Sequence, residues 1–320
     1  MRLIHRTNGT ELSSPERDFL AIEGLPVAEL QRLLDHAERL LPSAVGDAPA
    51  DERLRGRIVA NLFFEDSTRT RVSFEIAARR LGADVVNLTA SGSSASKGET
   101  LVDTALNIEA MGVDSIVVRT SISGGARLVA NAVRCPVINA GDGRHEHPTQ
   151  ALLDVLTLRL RLGDLSGKRV AIVGDIANSR VARSTTHALV ALGAHAVVVG
   201  PPALVPQGFE LLAKGPGKIM IHHDIDEIIR EIDAIMMLRV QMERAAGSGI
   251  APDYRSTFGL TAARRKALRE GVPILHPGPV NRGVEIDDEV ADDLRDSVIL
   301  AQVSCGVAAR MAVLLRAVDR

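Results

Sequence analysis

Short apolar runs alternate with helical patterns along nearly the whole chain, and this alternation limits the fold more than any other feature. The strand candidates are residues 58–64, 84–88, 115–119, 136–139, 169–173, 195–199, 218–221, 234–237 and 273–275. Most are followed by a segment whose apolar residues recur at helical spacing. Upstream, the sequence predicts a helix over 26–41 and a mobile linker over 42–51. Strands joined through helices pair in parallel, so the sequence predicts an α/β fold with doubly wound parallel sheets.

The alternation of predicted strands and helices occurs twice along the chain, which predicts two domains with a cleft between them. With 320 residues, the chain is long enough for two domains of ordinary size. The first domain is expected to cover residues 1–148 and the second residues 149–296, with a helix from Pro148 joining them. The apolar helical pattern of residues 297–320 is expected to pack back on the first domain and complete it.

Composition and charge exclude several classes of protein. The formal net charge of −2 argues against nucleic acid bound through a general basic surface, so any anion site must be local. No apolar run looks long enough to span a bilayer, and residues 1–11 lack the hydrophobic stretch of a signal peptide. Cys135 and Cys305 are expected to be reduced core thiols. These features predict a cytoplasmic protein that binds neither nucleic acid nor membrane.

Hydroxyl and guanidinium groups follow the first strand directly, where a helix is predicted to begin. Ser67, Thr68, Arg69 and Thr70 would place side-chain donors beside the free backbone N–H groups of the helix start. Together with the positive end of the helix dipole, these donors make an anion site suited to a phosphate. Taken alone, the segment would fit an ordinary helix cap beside exposed arginines.

The other unusual polar clusters also follow predicted strands, so the segment does not stand alone. They occupy residues 91–97, 119, 141–150, 175–180, 238–244 and 276–279. Ligands of such sheets bind beyond the carboxyl ends of the strands, which predicts one shared site. Arg239 and Gln241 would point the same way in an extended segment, and a guanidinium fork suits a carboxylate.

Two other kinds of site are disfavoured. Gly174 opens the second half where a dinucleotide fold carries three glycines, but the later two are missing, which weakens a dehydrogenase interpretation. His145 and His147 are too few for a metal site, and His147 could instead donate a hydrogen bond to a carbonyl oxygen. We therefore expect no metal and no cofactor.

Five motifs in order resemble those of the aspartate carbamoyltransferase catalytic chain, and the resemblance covers nearly everything after residue 20. They are Ser67-Thr68-Arg69-Thr70-Arg71, Ser96-Lys97-Gly98-Glu99-Thr100-Leu101, His147-Pro148-Thr149-Gln150, Arg239-Val240-Gln241 with Glu243-Arg244, and His276-Pro277-Gly278-Pro279. The first motif is shared with ornithine carbamoyltransferases. The Arg-Val-Gln and His-Pro-Thr-Gln motifs favour the aspartate branch. An ornithine enzyme is expected to carry His-Cys-Leu-Pro in place of the last motif.

The resemblance implies transfer of the carbamoyl group of carbamoyl phosphate to the amine of L-aspartate, in pyrimidine biosynthesis. Residues 1–148 with 297–320 would bind carbamoyl phosphate, and residues 149–296 would bind aspartate. The implied catalytic residues are Arg69, Thr70, Lys97, Arg119 and His147. Family members are homotrimers with shared active sites, and regulatory or dihydroorotase chains are further partners that the resemblance allows.

The resemblance also implies a role for each matching residue. Ser67, Thr68, Arg69 and Thr70 would hold the phosphate. Thr70, Arg119 and His147 would contact the carbonyl oxygen, and Gln150 the amide nitrogen. Arg180, Arg239 and Gln241 would grip the aspartate carboxylates. Ser93 and Lys97 would reach the neighbouring subunit's site, Pro277 and Gly278 would line the substrate site, and Glu65 would pair with Arg180 and Arg244 in the closed state.

The sequence departs from the family pattern at two places. Thr120 and Ser121 follow Arg119 where many relatives have a histidine, and Gly278 replaces a bulkier residue. Three alternatives stay open: carbamoyl transfer to ornithine or an N-acylated derivative, an inactive paralogue that scaffolds a partner enzyme, and a nicotinamide-dependent dehydrogenase.

Overall fold

The computed structural model describes residues 16–89, 99–240 and 253–318. Its first sheet is built from four parallel strands in the order β2-β1-β3-β4. These strands are β1 (Ile58–Phe63), β2 (Asp84–Thr89), β3 (Ser115–Thr120) and β4 (Val137–Asp142). The connecting helices are α2 (Thr68–Arg80), α3 (Leu101–Ala110) and α4 (Gly125–Ala130). Every residue of β3 and β4 is buried, as expected for strands covered by helices on both faces.

The second sheet contains five parallel strands in the order β7-β6-β5-β8-β9. These are β5 (Arg169–Val173), β6 (His195–Val199), β7 (Ile219–His222), β8 (Ala234–Met237) and β9 (Ile274–Leu275). Its helices are α6 (Arg180–Ala191), α7 (Tyr254–Phe258), α8 (Ala262–Ala267) and α9 (Asp288–Ala291). The predicted α/β fold with two parallel sheets is therefore confirmed.

Two long helices lie between and against the sheets. Helix α5 (Pro148–Leu162) connects them and begins with a proline, whose missing N–H costs nothing in the first turn. Helix α10 (Ile299–Val318) packs against α5, α2 and α1 (Val27–Val45). By length and composition α10 could cross a membrane, so the expectation of no such run is wrong. However, 67% of this stretch is buried inside the protein, as in a core helix.

Helix α1 extends beyond its predicted end at residue 41, and the linker expected from residue 42 is wrong in its first residues. Pro42 lies inside the helix, which continues to Val45. Ser43 and Ala44 are buried, so packing holds the turn that proline weakens. Gly46 then ends the helix with φ 94°, and its N–H donates to the Pro42 carbonyl.

In each sheet, strands are first added on one side of the first strand and then on its other side. The two points at which the side changes face the same region. The first sheet grows from β1 to β2 on one side and continues with β3 on the other. The second grows from β5 to β6 and β7, and then β8 lies on the opposite side of β5. Crevices form beyond the carboxyl ends of strands at such switch points, which is where open α/β sheets bind ligands.

Candidate active site

A cavity of about 710 Å³ lies beyond the two switch points. Every predicted site residue that the structure describes lines it. These residues are Glu65, Ser67, Thr68, Arg69, Thr70, Arg119, His147, Gln150, Arg180, Arg239, Pro277 and Gly278. The other four predicted residues, Ser93, Lys97, Gln241 and Arg244, lie outside the described residues. The predicted residues that the structure describes thus line one cavity, and their roles in binding and catalysis stay predictions.

The N-terminus of α2 opens into this cavity. Ser67 precedes the helix with φ −161° and makes no capping hydrogen bond through its side chain. The N–H of Arg71 is the first to bond back, to the Ser67 carbonyl over 3.1 Å. The earlier N–H groups have no carbonyl partner within the helix, so they remain available to an anion at the positive end of the dipole.

Arg69 lies in this cavity without a compensating acid. Within residues 16–89, 99–240 and 253–318 its guanidinium makes no hydrogen bond or ion pair. Partial burial, followed by the nearby positive charge of Arg239, lowers the pKa of Arg69. A Cβ on Gly278 would lie 2.8 Å from Arg69 Cζ, and Gly278 has φ +67°, so a glycine both fits the backbone and leaves room for the guanidinium. Two arginines close together favour an anionic ligand.

Glu65 accepts hydrogen bonds from two arginines, one in a strand of the first sheet and one in a helix that follows the first strand of the second sheet. Arg119, in β3, donates from Nη2 to Glu65 Oε1 over 2.7 Å and from Nη1 to the Ala140 carbonyl over 3.0 Å. Arg180, the first residue of α6, donates from Nη1 to Glu65 Oε2 over 3.0 Å and from Nη2 to Oε1. Burial disfavours the charge, yet both arginines hold the pKa of Glu65 below its ordinary value. The resemblance predicts the Arg180 contact but not the Arg119 contact.

His147 is buried immediately before α5, with 4% of its surface exposed. Its backbone N–H donates to Ser184 Oγ over 2.9 Å, which fixes the start of the helix. Burial and then the charges of Arg119 and Arg180 hold the pKa of His147 well below its ordinary 6.5. The imidazole is therefore neutral at neutral pH, so it can polarise a carbonyl oxygen but is a weak general acid.

A polar cluster beneath the cavity was not predicted from the sequence. Asp154 in α5 has no exposed surface, and Gln302 and Arg310 in α10 are also buried. Arg310 stacks on the Phe74 ring with Cζ 5.2 Å from the centroid and donates to the Gly306 carbonyl. The available signal was a charged residue flanked by apolar residues in each helix, since such a residue is rarely buried without a partner.

The loop after β9 is fixed by a second buried pair. His276 Nε2 and Glu285 Oε1 lie 3.0 Å apart, and neither side chain is exposed. The Gly278 N–H donates to His276 Nδ1 over 2.8 Å, so the ring's hydrogen is placed on Nε2. Glu285 also accepts from the Asn281 N–H. These contacts hold Pro277 and Gly278 at the cavity wall.

Arginines outnumber carboxylates in the cavity, although the whole chain is slightly acidic. The lining includes Arg69, Arg119, Arg180, Arg239 and Arg310 against Glu65, Asp66 and Asp175. A neutral imidazole and a helix N-terminus complete the set of donors. Such a site suits small polyanionic substrates and a reaction in which negative charge develops on an oxygen.

Comparison with known proteins agrees with this chemistry. Residues 17–160 match the family "Aspartate/ornithine carbamoyltransferase, carbamoyl-P binding domain", and residues 166–317 match "Aspartate/ornithine carbamoyltransferase, Asp/Orn binding domain". The aspartate carbamoyltransferase catalytic subunit of Myxococcus xanthus is 54% identical over 300 residues, covering 93% of this chain and 98% of that protein. The corresponding subunit of Rhodospirillum rubrum is 53% identical over 300 residues, covering 93% and 92%.

Solved structures are similar over almost the whole chain. Aspartate transcarbamoylase from Trypanosoma cruzi in complex with N-(phosphonacetyl)-L-aspartic acid matches with a TM-score of 0.86 and 31% identity, covering 96% of this chain and 97% of that one. Ornithine carbamoyltransferase from Pyrococcus furiosus matches with 0.84 and 29%, covering 97% and 99%. Fold, cavity and relatives together define a group transferase whose site suits small anions. The chain belongs to the aspartate/ornithine carbamoyltransferase family.

Proposed function

We propose that this chain transfers the carbamoyl group of carbamoyl phosphate to the amine of L-aspartate, giving N-carbamoyl-L-aspartate and phosphate for pyrimidine biosynthesis. A similar protein, the T. cruzi aspartate transcarbamoylase, has been solved in complex with both carbamoyl phosphate and aspartate. The observation that carries the proposal is Arg69, a guanidinium with no acidic partner in the described part of the chain. It lies at the open N-terminus of α2 and beside Arg239.

In the proposed mechanism, carbamoyl phosphate lies with its phosphate at the start of α2. Ser67, Thr68, Arg69 and Thr70 hold that phosphate through side chains and backbone N–H groups. Its carbonyl oxygen faces Thr70, Arg119 and the neutral His147. Donors placed at an oxygen that gains negative charge act as an oxyanion hole, and each contributes about 100- to 1000-fold in rate.

Aspartate is proposed to lie on the second-domain side, with its carboxylates against Arg180, Arg239 and Gln241. Its neutral amine attacks the carbonyl carbon, and the bond from that carbon to the bridging oxygen then breaks. The departing phosphate takes the proton from the amine, so no protein base is required. Holding the two anions side by side supplies further rate through orientation.

A purified-protein assay tests the proposal directly. Carbamoyl phosphate and L-aspartate should give carbamoyl-aspartate by a colorimetric assay, and no product with both substrates present would reject the proposal. Arg69→Ala should lower kcat/KM by about 100- to 1000-fold because a phosphate and transition-state donor is lost. Arg71→Ala is the matched control: it lies two residues further along α2, does not line the cavity, and should change the rate little.

Ornithine is the alternative acceptor that the fold does not distinguish, since the P. furiosus ornithine enzyme is about as similar in structure as the T. cruzi enzyme. Ornithine has two amines and one carboxylate, so the charged amine that does not react requires an acidic partner, whereas Arg180 and Arg239 suit a second carboxylate. Replacing aspartate by ornithine or its N-acylated derivative should abolish product. Arg239→Ala should damage aspartate use without creating use of ornithine.

The chain is further proposed to act as a cytoplasmic homotrimer, with Ser93 and Lys97 entering the neighbouring subunit's site. No residue of β2 is buried, which is unusual for a parallel strand. Val86 on this edge strand is 43% exposed, and Val72 and Ile76 on one face of α2 are 40% and 39% exposed. A second copy of the chain would cover these apolar side chains, and residues 90–98 follow β2 directly.

A further inference from the structure

Asp154 is completely buried and receives three hydrogen bonds. Its Oδ1 accepts from Gln150 Nε2 over 2.9 Å and from Gln302 Nε2 over 2.8 Å. Its Oδ2 accepts from Thr185 Oγ1 over 2.9 Å. Gln150 precedes it by one helical turn in α5, whereas Gln302 comes from α10 and Thr185 from α6. One carboxylate thus connects helices from both sheets beneath the cavity.

These contacts determine which way two amide side chains point. Once it is ionised, the Asp154 carboxylate only accepts hydrogen bonds, so both glutamines turn their NH₂ groups toward it. The Gln150 oxygen Oε1 is then the group that this side chain can offer to the cavity that it lines. Gln302 uses its own Oε1 to accept the His276 N–H over 2.8 Å.

Gln302 connects Asp154 to a second part of the cavity wall, the segment that follows β9. His276 directly precedes Pro277 and Gly278, whose backbone lines the cavity. Gln302 therefore links Asp154 to that segment through one hydrogen bond at each end of its amide. The carbamoyl NH₂ group is a donor with two hydrogens, and it requires acceptors. Gln150 Oε1 is one such acceptor, and the backbone carbonyls after β9 are others, in a segment that Asp154 helps to hold through Gln302.

We propose that Asp154 is a positioning residue that makes the site selective for a carbamoyl group over an acyl group of the same shape, by turning the Gln150 oxygen and the His276–Gly278 segment toward the substrate's NH₂. This proposal rests on the proposed function, because it assumes that the cavity binds carbamoyl phosphate. Asp154 does not touch the substrate, and it acts only through the two glutamines.

Two inhibitors that differ in one group test this selectivity. Phosphonoacetamide carries an NH₂ group where acetonylphosphonate carries a methyl group, and the two molecules are otherwise equal in shape. Their inhibition constants against carbamoyl phosphate are measured at pH 8 for each variant. Asp154→Leu has a similar shape but no oxygen, so it removes the acceptor Oδ1 that both glutamine NH₂ groups share.

For D154L we expect the preference for phosphonoacetamide over acetonylphosphonate to fall about ten-fold, the effect of one lost hydrogen bond, while acetonylphosphonate binds as before. Thr185→Val is the matched control: it removes the bond to Oδ2, leaves both bonds to Oδ1, and should keep the preference. An unchanged preference in D154L, including one that results from equal weakening of both inhibitors, would overturn the proposal.

A second variant keeps the test decisive if D154L does not fold. Gln302→Leu breaks the link to the His276 N–H but leaves Asp154 bonded to Gln150. It should lower the same preference while acetonylphosphonate binds normally, and an unchanged preference would contradict the proposal. A failure of the proposed function can be told apart from a failure of this proposal, because the wild-type protein would then bind neither inhibitor in competition with carbamoyl phosphate.

Discussion

Gly278 shows how one residue connects backbone geometry to the charge in the cavity. Its φ of +67° lies in the region that favours glycine, and an added Cβ would lie 2.8 Å from Arg69 Cζ. The resemblance described above marks this position as a departure from the family pattern. In this chain the glycine allows Arg69 and the loop after β9 to approach closely.

Gly278→Ala should therefore lower kcat/KM for carbamoyl phosphate by about 100-fold, because a displacement of about 1 Å at the reacting group has effects of this size. Gly283→Ala separates crowding from backbone strain. Gly283 has a similar φ of +73° but nothing within 4 Å of an added Cβ. It should lose about 1 kcal/mol of stability with little change in rate. Equal loss of activity in both variants would rule out crowding as the cause.

The buried carboxyl of Asp154 should give stability a characteristic pH dependence. Burial raises the pKa of Asp154 from 3.8 to about 7, although hydrogen bonds from Gln302, Gln150 and Thr185 oppose the shift. Between about pH 4 and pH 7 the folded state holds a proton that the unfolded state has lost. The resulting contribution of Asp154 to the free energy of unfolding is fully present below the pKa of the unfolded state, and it is lost as pH rises through the pKa of the folded state.

The measurement is urea unfolding of wild type and D154N at about pH 5 and about pH 8, on either side of the folded pKa. Because the variant lacks the titrating group, the stability of wild type relative to D154N should be greater at the lower pH. Arg310 is the buried charge near Asp154, and it stays ionised at both pH values because burial lowers its pKa only to about 10. A stability difference that is equal at the two pH values would contradict the shift.

At the scale of elements, Glu65 lies just beyond β1 and links β3 to α6 through Arg119 and Arg180. The carboxylate spans the two domains, so we expect it to favour a closed cavity in which both substrates meet. Glu65→Gln should raise the KM for aspartate about ten-fold, the size of a typical coupling between sites. Carbamoyl phosphate affinity should change much less, since α2 itself is not altered.

A surface pair provides the comparison for E65Q. Glu38→Gln removes an exposed ion pair with Arg159, whose atoms lie 2.5 Å apart in the structure. Such pairs contribute little, so both KM values should stay near wild type. Steady-state kinetics with each substrate varied in turn distinguishes the cases. A rise of equal size in both KM values for E65Q would argue against a role in closure.

The elements themselves could largely be predicted from the sequence. Strands β5, β6 and β8 have the same bounds as the apolar runs that predict them. A parallel strand that is buried on both faces is apolar along almost its whole length, so its ends are easy to locate in the sequence. The end of helix α1 could not be located, since the burial of Ser43 and Ala44 beyond Pro42 comes from tertiary packing that the local pattern does not contain. The buried positions of Asp154 and Arg310 were missed for the same reason, because each makes contacts with a residue of another helix that is distant in sequence.

For the whole molecule, the proposed trimer predicts complementation between inactive variants. Lys97→Ala removes a residue that each subunit would lend to its neighbour, whereas His147→Ala removes a residue of the subunit's own site. After dissociation and random reassociation, each mixed trimer should contain one site with both native residues. About a quarter of all sites would then recover, given cyclic symmetry.

Two variants from the same side of the site serve as the control for this mixing experiment. His147→Ala and Arg119→Ala both damage the subunit's own site, so no mixed trimer regains a native one. Activity should stay absent in that mixture. Recovery there, or no recovery with the Lys97 variant, would contradict shared active sites.

One cavity between the two sheets is proposed to bind two small anions side by side, and the role of every arginine described above depends on this. A crystal structure with N-(phosphonacetyl)-L-aspartic acid tests this arrangement directly, since the molecule joins a phosphonate to the two carboxylates of aspartate. We predict the phosphonate at the N-terminus of α2 beside Arg69 and the carboxylates at Arg180 and Arg239. Phosphonate bound elsewhere, or carboxylates out of reach of both arginines, would show that the cavity does not bind its substrates in this way.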